Sequence, residues 1–351
     1  MTKFLYSILI CCLFFTIKVE AGNPDRQGEA GAYELLMNPW ARSAGLHTMS
    51  TSMIRGVEAL RLNPSGLSRI GGTTEVLIGH SRYLQGTDIK MNAFGFGQKV
   101  GKNGTFGISL MSLDMGDIEV TTTDQPAGTG ATFSPNFFNL GISYAHLFEN
   151  KISVGITFRA ISESISDVSA FGFALDAGVQ YVTGPADNFK FGISLRNIGS
   201  RMSFGGQGLS FPTRNPEGVL SYDITVNQRS AQFELPSVLN IGMSYDFNLD
   251  QDSRFTILGN FTANSFARDQ IGGGMEYSLK DMFMIRAAYK VEMGLSAERN
   301  FEQSVYSGLS AGVSLEVPTK KDSANSFGID YAYRATSPFS GTHNISVRFS
   351  L

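Results

Sequence analysis

Hydrophobic and polar residues alternate along most of this chain with a period of two. In HNISVRFSL, residues 343–351, Ile345, Val347, Phe349 and Leu351 are apolar, while Asn344, Ser346, Arg348 and Ser350 are polar. That period sorts the side chains onto opposite faces of a strand. The pattern recurs in KISVGITFRA, where Ile152, Val154, Ile156 and Phe158 oppose Ser153, Gly155, Thr157 and Arg159, and in NFKFGISLR, where Phe189, Phe191, Ile193 and Leu195 oppose Lys190, Gly192, Ser194 and Arg196. Leu239, Ile241, Met243 and Tyr245 repeat it, as do Leu309, Ala311, Val313 and Leu315.

From Thr73 onward the alternation predicts about fourteen strands, an even number of the kind outer-membrane barrels use. They fall near residues 73–82, 87–100, 103–114, 136–148, 151–165, 168–183, 187–198, 237–248, 252–263, 267–279, 282–293, 306–317, 325–335 and 341–351. Short connections (GKNG, EN at 149–150, GPAD, LDQD, KD at 280–281) alternate with long ones at 115–135, 199–236 and 294–305, and TKKDSAN is the loosest of the short set. Tight turns on the periplasmic side and long outer loops are the habit of membrane barrels. On that arrangement Phe148, Tyr181, Phe247, Tyr277 and Phe349 lie at the periplasmic ends of descending strands, and Phe106, Phe189, Phe255, Phe283 and Phe327 begin the ascending ones. Aromatic rings favour the headgroup boundary, so these positions predict a periplasmic girdle. A soluble β-sandwich also alternates, but its apolar face needs a protein interior to fill. The expected fold is all-β: a transmembrane antiparallel barrel whose last strand, through Ile345, Val347, Phe349 and Leu351, closes against the first and faces lipid, with Arg348 inside.

The first residues change the picture of where the barrel resides. Lys3, the apolar run Phe4–Ile17, and Val19 and Ala21 read as a secretory signal peptide over 1–21, with the mature chain starting near Gly22. The run is shorter than the roughly 20 residues a membrane-spanning helix needs. Cys11 and Cys12 both lie in it, so thiol, disulfide and cysteine-metal chemistry are excluded from the mature protein, and Ile10 before Cys11 argues against a lipidated cysteine. Removing Lys3, Lys18 and Glu20 leaves 26 basic and 30 acidic residues, a formal charge of −4. That balance does not suggest a nucleic-acid partner. Residues 22–72, between the signal and the barrel at 73–351, are not strand-like. ARSAGLHTMSTSMIRGVEALRLNPSGLSRI predicts one or two short helices ending before Asn63 and Pro64. A small helical plug inside the barrel is expected rather than a periplasmic tail, because Ala41, Ala44, Leu46, Ile54, Val57, Leu60 and Leu67 would otherwise be exposed apolar surface.

Candidate chemistry is sparse. The inward parity carries Arg159, Arg196, Arg286, Lys290 and Arg348 with Asp176, Asp246, Glu276, Glu316 and Asp330, which reads as paired charges bracing a polar interior rather than a filter of one sign. GLSAG at 308–312, followed by Asp330 and His343, matches a hydrolase nucleophile pattern, but Ser310 continues into a strand and His343 has the opposite parity. His47, His80, His146 and His343 have no ligand spacing, so no metal is expected. GFGQKVG at 95–101 precedes a turn rather than a helix and predicts no phosphate loop; inward glycine there makes room for something packed within the barrel. No cofactor is indicated.

Longer motifs carry a resemblance. NPSGL (Asn63, Pro64, Ser65, Gly66, Leu67) resembles the N-P-A-G-L element of FadL-like outer-membrane proteins, with Ser65 where alanine is usual. GDIEVTTTDQPAGTGATF at 116–133, DAGVQYVTG at 176–184 and GISLRNIG at 192–199 are similar to the PorV/PorQ branch of that group, found in Bacteroidetes-type bacteria. The resemblance runs from about Ala32 to the C-terminus. It implies a FadL-type barrel with an N-terminal plug, working without catalysis in the type IX secretion system. Its expected partners are a secretion translocon or secreted proteins with C-terminal signal domains. No family catalytic residue carries over. The long outer loops are the expected contact surface, in particular Asp117, Ile118, Glu119 and Pro126. The alternative is a FadL-like passive channel for hydrophobic solutes; a hydrolase built on Ser310 is the third and weakest class.

Overall fold

In a computed structural model, which describes residues 22–215, 222–294, 305–319 and 325–351, the alternating segments form long antiparallel strands. The predicted signal peptide with Cys11 and Cys12, and parts of the 199–236 loop, the 294–305 loop and the TKKDSAN turn, lie outside the described residues. The strands are β1 (Thr74–Arg82), β2 (Lys90–Val100), β3 (Gly104–Asp114), β4 (Asn136–Phe148), β5 (Ile152–Ile165), β6 (Val168–Thr183), β7 (Phe189–Gly199), β8 (Val238–Asn248), β9 (Ser253–Asn264), β10 (Gln270–Leu279), β11 (Phe283–Glu292), β12 (Tyr306–Pro318), β13 (Ser326–Thr336) and β14 (Thr342–Ser350). Each pairs with its neighbours in sequence order, and β1 pairs with β14, so the sheet closes. Val76 faces Phe349, Ile78 faces Val347 and His80 faces Ile345 across that seam. Closure leaves none of the fourteen long strands as an open edge.

The burial pattern is inverted relative to a soluble domain. Ile156 is 55% exposed on the outer face, while Glu276, on the inner face, is 0% exposed. Strand β6 alternates throughout: Phe171, Phe173, Leu175, Val179 and Tyr181 point out, and Ala170, Ala174, Asp176 and Gln180 are buried. A wall of exposed aliphatic and aromatic side chains around a buried polar interior fits hydrocarbon as the outer medium, because pairing in a closed sheet keeps backbone N–H and C=O groups from facing the lipid unpaired. No described helix is long and apolar enough to cross a membrane. Phe148, Tyr181, Phe247, Tyr277 and Phe349 all project outward from the short-turn ends of their strands, and Phe349 packs on Phe327 with ring centroids 5.1 Å apart.

Two of the short turns show why their strands reverse there. Glu149 and Asn150 have φ of 46° and 59°, and Lys280 and Asp281 of 54° and 50°. Two consecutive left-handed residues make the two-residue turn whose twist matches that of the flanking strands. The opposite end is less uniform than the loop lengths predicted. Besides the long loops it carries the tight Ser166–Asp167 turn between β5 and β6.

Residues from Ala30 to Ile70 run through the lumen. Their helical structure is shorter than predicted and continues past the proline. It consists of pieces of one or two turns at Tyr33–Leu36, Ala41–Ala44, Val57–Arg61 and Pro64–Arg69. Asn63 is extended (φ −149°, ψ 98°), as a residue before proline must be, but Pro64 then starts a turn instead of ending one. Proline suits a first helical position because its missing N–H would have had no partner there, and Asn63 caps the turn by accepting from the Ser65 N–H at 3.3 Å. Trp40, Val57, Leu60 and Leu67 are buried against Leu77, Met91, Met111 and Leu113 of the inner wall of β1–β3. Each such side chain withdrawn from water contributes about 1.5–3 kcal/mol.

Candidate functional site

The lumen and the long loops are the places where the fold gathers polar groups. At the lumen floor, Asn63 is fully buried and bonds in three directions. Its Nδ2 donates to the carbonyls of Thr51 (2.9 Å) and Val179 (3.3 Å), and its Oδ1 accepts from the Ser65 hydroxyl at 2.6 Å. The hydroxyl that replaces the usual alanine methyl thus tightens the same cap. Gln180 of β6 donates to the carbonyls of Thr51 (3.1 Å) and Ile54 (2.9 Å). Wall glycines allow the approach: a Cβ on Gly178 would lie 1.9 Å from Asn63 Oδ1, and one on Gly155 2.4 Å from the Pro64 carbonyl carbon. A Cβ on Gly66 would likewise lie 2.3 Å from the Ile54 carbonyl oxygen, and Leu67 is fully buried. Within the inner segment, the NPSGL turn thus meets β5–β6 through Asn63 and Pro64 and β1–β3 through Leu67.

Most of the inward charges are paired. Arg159 bonds Asp176 at 2.6 Å, Arg286 bonds Glu276 at 2.5 Å, and Arg348 lies 3.3 Å from Asp330 and 3.6 Å from Glu316; Asp246 is taken by Lys190 at 2.5 Å. The arginines have a second role that sequence parity did not reveal. Arg159 donates to the Leu60 carbonyl (3.2 Å) and Arg196 to the Arg61 carbonyl (2.6 Å), so the wall grips the backbone of the inner segment. Those carbonyls need donors because short helical pieces leave their C=O groups unsatisfied. Glu34, buried in the segment, accepts from the Asn139 amide at 3.2 Å, and burial raises its carboxyl above the ordinary value despite that bond and the nearby Arg61.

The hydrolase-like triplet is not assembled. Ser310 is buried and donates to the Gly45 carbonyl at 3.1 Å, and Asp330 is held by Ser314 and Arg348. His343 lies on the outer face, 2.8 Å from the Tyr331 hydroxyl. Among the described residues no group of three or more His, Cys, Asp or Glu is placed to hold a metal.

The 115–135 loop continues β3 and β4 as a small hairpin, with Ile118–Glu119 paired to Thr132–Phe133 and the Val120 N–H donating to Ala131. Asp117, Ile118, Glu119 and Pro126 are all exposed on it, and Asp117 accepts from the Ser134 hydroxyl at 2.5 Å. The 199–236 loop adds a second ribbon, Ser210–Arg214 with Asp223–Asn227. Between the loops and the inner segment a cavity of about 320 Å³ opens at the long-loop end, lined in part by His47, Arg196, Lys290, Tyr306 and Arg334. Strand parity places Lys290 inside, whereas the scattered histidine spacing gives no signal for His47. The legible signal would have been Lys290 and Arg334, two inward cations at the same ends of β11 and β13.

The profile of the type IX secretion system membrane protein PorP/SprF matches residues 59–349, which is most of the chain. The chain belongs to the PorP/SprF family. The sequence motifs pointed to the PorV/PorQ branch; the matching profile is PorP/SprF, of the same secretion system. PorP/SprF membership and the closed barrel together make this an outer-membrane β-barrel of FadL-like fold, in a family of secretion barrels and not of known enzymes. Among solved structures it is similar to a mutant of the monoaromatic hydrocarbon channel TodX (TM-score 0.59, 12% identity, 88% of this chain and 98% of that one). It is also similar to the Pseudomonas putida toluene transporter TodX (TM-score 0.56, 14%, 88% and 97%) and to a Pseudomonas aeruginosa FadL homologue (TM-score 0.52, 10%, 89% and 98%). At these identities the likeness is one of fold. No curated protein sequence matches significantly.

Proposed function

We propose that this protein is a non-catalytic outer-membrane component of the type IX secretion system. It binds a partner protein, translocon or secreted C-terminal signal domain, on its long outer loops. The observation that carries this reading is the filled lumen. Residues 30–70 pack against the wall with Trp40, Val57, Leu60 and Leu67 buried, so recognition falls to the outer surface. In this reading residues 22–72, downstream of a cleaved signal peptide, are a plug fixed at NPSGL, the outward aromatics are the periplasmic girdle, and β14 seals the barrel. Asp117, Ile118, Glu119 and Pro126 stand on an ordered hairpin, where a rigid scaffold presents them for binding. The PorV/PorQ-like character of 116–133 then marks a contact surface used by more than one barrel of this machinery.

The test is replacement of 117–126 by a Gly-Ser linker in the chromosomal gene, alongside a full deletion. Both strains should lose export of proteins bearing C-terminal signal domains, with the loop variant still present as a heat-modifiable barrel. Normal export by the loop variant overturns the assignment of the hairpin; normal export by the deletion overturns the secretion role. A passive channel for hydrophobic solutes is the second reading. In its favour, a monoaromatic hydrocarbon channel and a toluene transporter are among the barrels of similar fold. Uptake of a hydrophobic solute into vesicles reconstituted with the purified barrel would support it.

A further inference from the structure

Among the described residues, the cavity at the long-loop end is lined by more positive than negative charge. Among its described lining residues Arg196, Lys290 and Arg334 face one carboxylate, Glu292, which itself accepts from the Gln270 amide at 3.2 Å. Arg268 is a fourth cation of the lining and donates to the Gly294 carbonyl at 2.7 Å. Exposure is 3% for His47, 4% for Arg334 and 7% for Arg196, yet several of their polar atoms have no hydrogen-bond partner among the described residues. These are both ring nitrogens of His47, Nε and Nη2 of Arg334, and Nε of Arg196. A buried polar atom without a partner costs about 1–3 kcal/mol, and native proteins seldom concentrate several in one place.

The groups are held in position. His47 and the following Thr48 have φ of 50° and 61°, a left-handed pair that turns the chain back after Ala41–Ala44. The imidazole packs edge-on against Tyr306 at 5.6 Å, and the Arg334 guanidinium lies 4.5 Å over the same ring. Burial, with Lys290 and Arg334 nearby, holds the imidazole well below its ordinary value, so the ring is neutral and offers one N–H. Ordered water could pair with the N–H groups but leaves the charge unbalanced.

We propose that this cavity is a binding site for a compact oxyanion of the phosphate class, as the free ion or as the phosphoryl group of an outer-leaflet glycolipid. Four cations against one carboxylate among the described lining residues favour a dianion: a phosphate of about −1.5 to −2 at neutral pH offsets more of that charge than a single carboxylate does. A guanidinium pairs with two phosphate oxygens at once, lysine adds a point charge, and the neutral imidazole donates a further bond. The inference is independent of the secretion reading.

The full chain in detergent, titrated with inorganic phosphate against chloride at equal ionic strength, should bind one phosphate and unfold at a higher temperature. Arg334→Gln and Lys290→Gln should each weaken binding about tenfold or more. Lys280→Gln, at the opposite end of the barrel, should not. Lys290 is only half-buried, so its variant remains informative if Arg334→Gln misfolds. Equal behaviour in phosphate and chloride, or full binding by folded Lys290→Gln, overturns the proposal. Displacement of bound phosphate by lipid A, but not by its dephosphorylated form, identifies the lipid as the source; lack of displacement identifies the free ion.

Discussion

Gly178 offers the sharpest test of how the lumen is filled. It lies in the middle of β6, and strand backbone accepts valine, so intrinsic propensity alone favours Gly178→Val by up to about 1 kcal/mol. The lumen opposes it. A Cβ at this position would lie 1.9 Å from Asn63 Oδ1 and 3.2 Å from Pro64 Cδ, so the cap at the NPSGL turn has to move. Moving it breaks the two bonds that Asn63 Nδ2 donates, to Thr51 and Val179, and the one its Oδ1 accepts from the Ser65 hydroxyl. At about 1 kcal/mol each these amount to about 3 kcal/mol, which exceeds the propensity gain and reverses its sign. The ladder hydrogen bonds of β6 are untouched, so the barrel should still close. The expected result is a heat-modifiable barrel of lower melting temperature, with residues 22–72 newly open to protease and raised ion conductance in planar bilayers. Gly259→Ala is the control, because its nearest neighbour, the Gly272 carbonyl oxygen, is 3.9 Å from the new Cβ. If Gly178→Val melts at or above the wild-type temperature and remains protease-resistant and non-conducting, the inner segment is not packed as described.

Other substitutions probe the wall and its medium. Arg159→Met removes the cation bonded to Asp176, 1% exposed, leaving only the more distant Arg61 and Arg196 as positive neighbours, and should cost up to about 3–5 kcal/mol in urea titrations, whereas the double replacement Arg159→Met with Asp176→Leu should recover part of the loss. Recovery has to exceed the penalty for leaving the Asn197 N–H, which Asp176 accepts at 2.7 Å, unsatisfied. Ile156→Lys, 55% exposed on the outer face, should destabilise the barrel in lipid vesicles by about 2–4 kcal/mol, and a neutral result would mean that water, not hydrocarbon, covers that face. Glu34 is raised by burial, so its contribution is fully present below the ordinary carboxylate range and is lost as pH rises through the elevated native value. Glu34→Gln should therefore flatten the fall in melting temperature as pH rises above the ordinary carboxylate range, and an unchanged slope would show that Glu34 does not set it.

The wall was legible because its rule is local. β4, β5 and β6 begin and end where the alternation does, since a two-residue period and a lipid-facing side are written into each short stretch by itself. The tight Ser166–Asp167 turn was legible as a gap between segments, though not as an exception to the rule of long outer loops. The inner segment was legible only as apolar surface in need of cover. Its helices were read through the proline rule, and that reading missed the turn at Pro64–Arg69 because the Asn63 cap draws on carbonyls of Thr51 and Val179.

By itself, then, the sequence determined the barrel: strand number, inward and outward faces, and the seam of β1 with β14. Only the tertiary structure decided what fills it and where its charges meet. Ser310 reaches Gly45, Arg196 reaches Arg61, and His47 joins Lys290 and Arg334 only because closure of the sheet brings distant residues to one height in a narrow lumen. Periodicity is a property of neighbours along the chain, whereas those contacts depend on how far each strand is staggered around the cylinder.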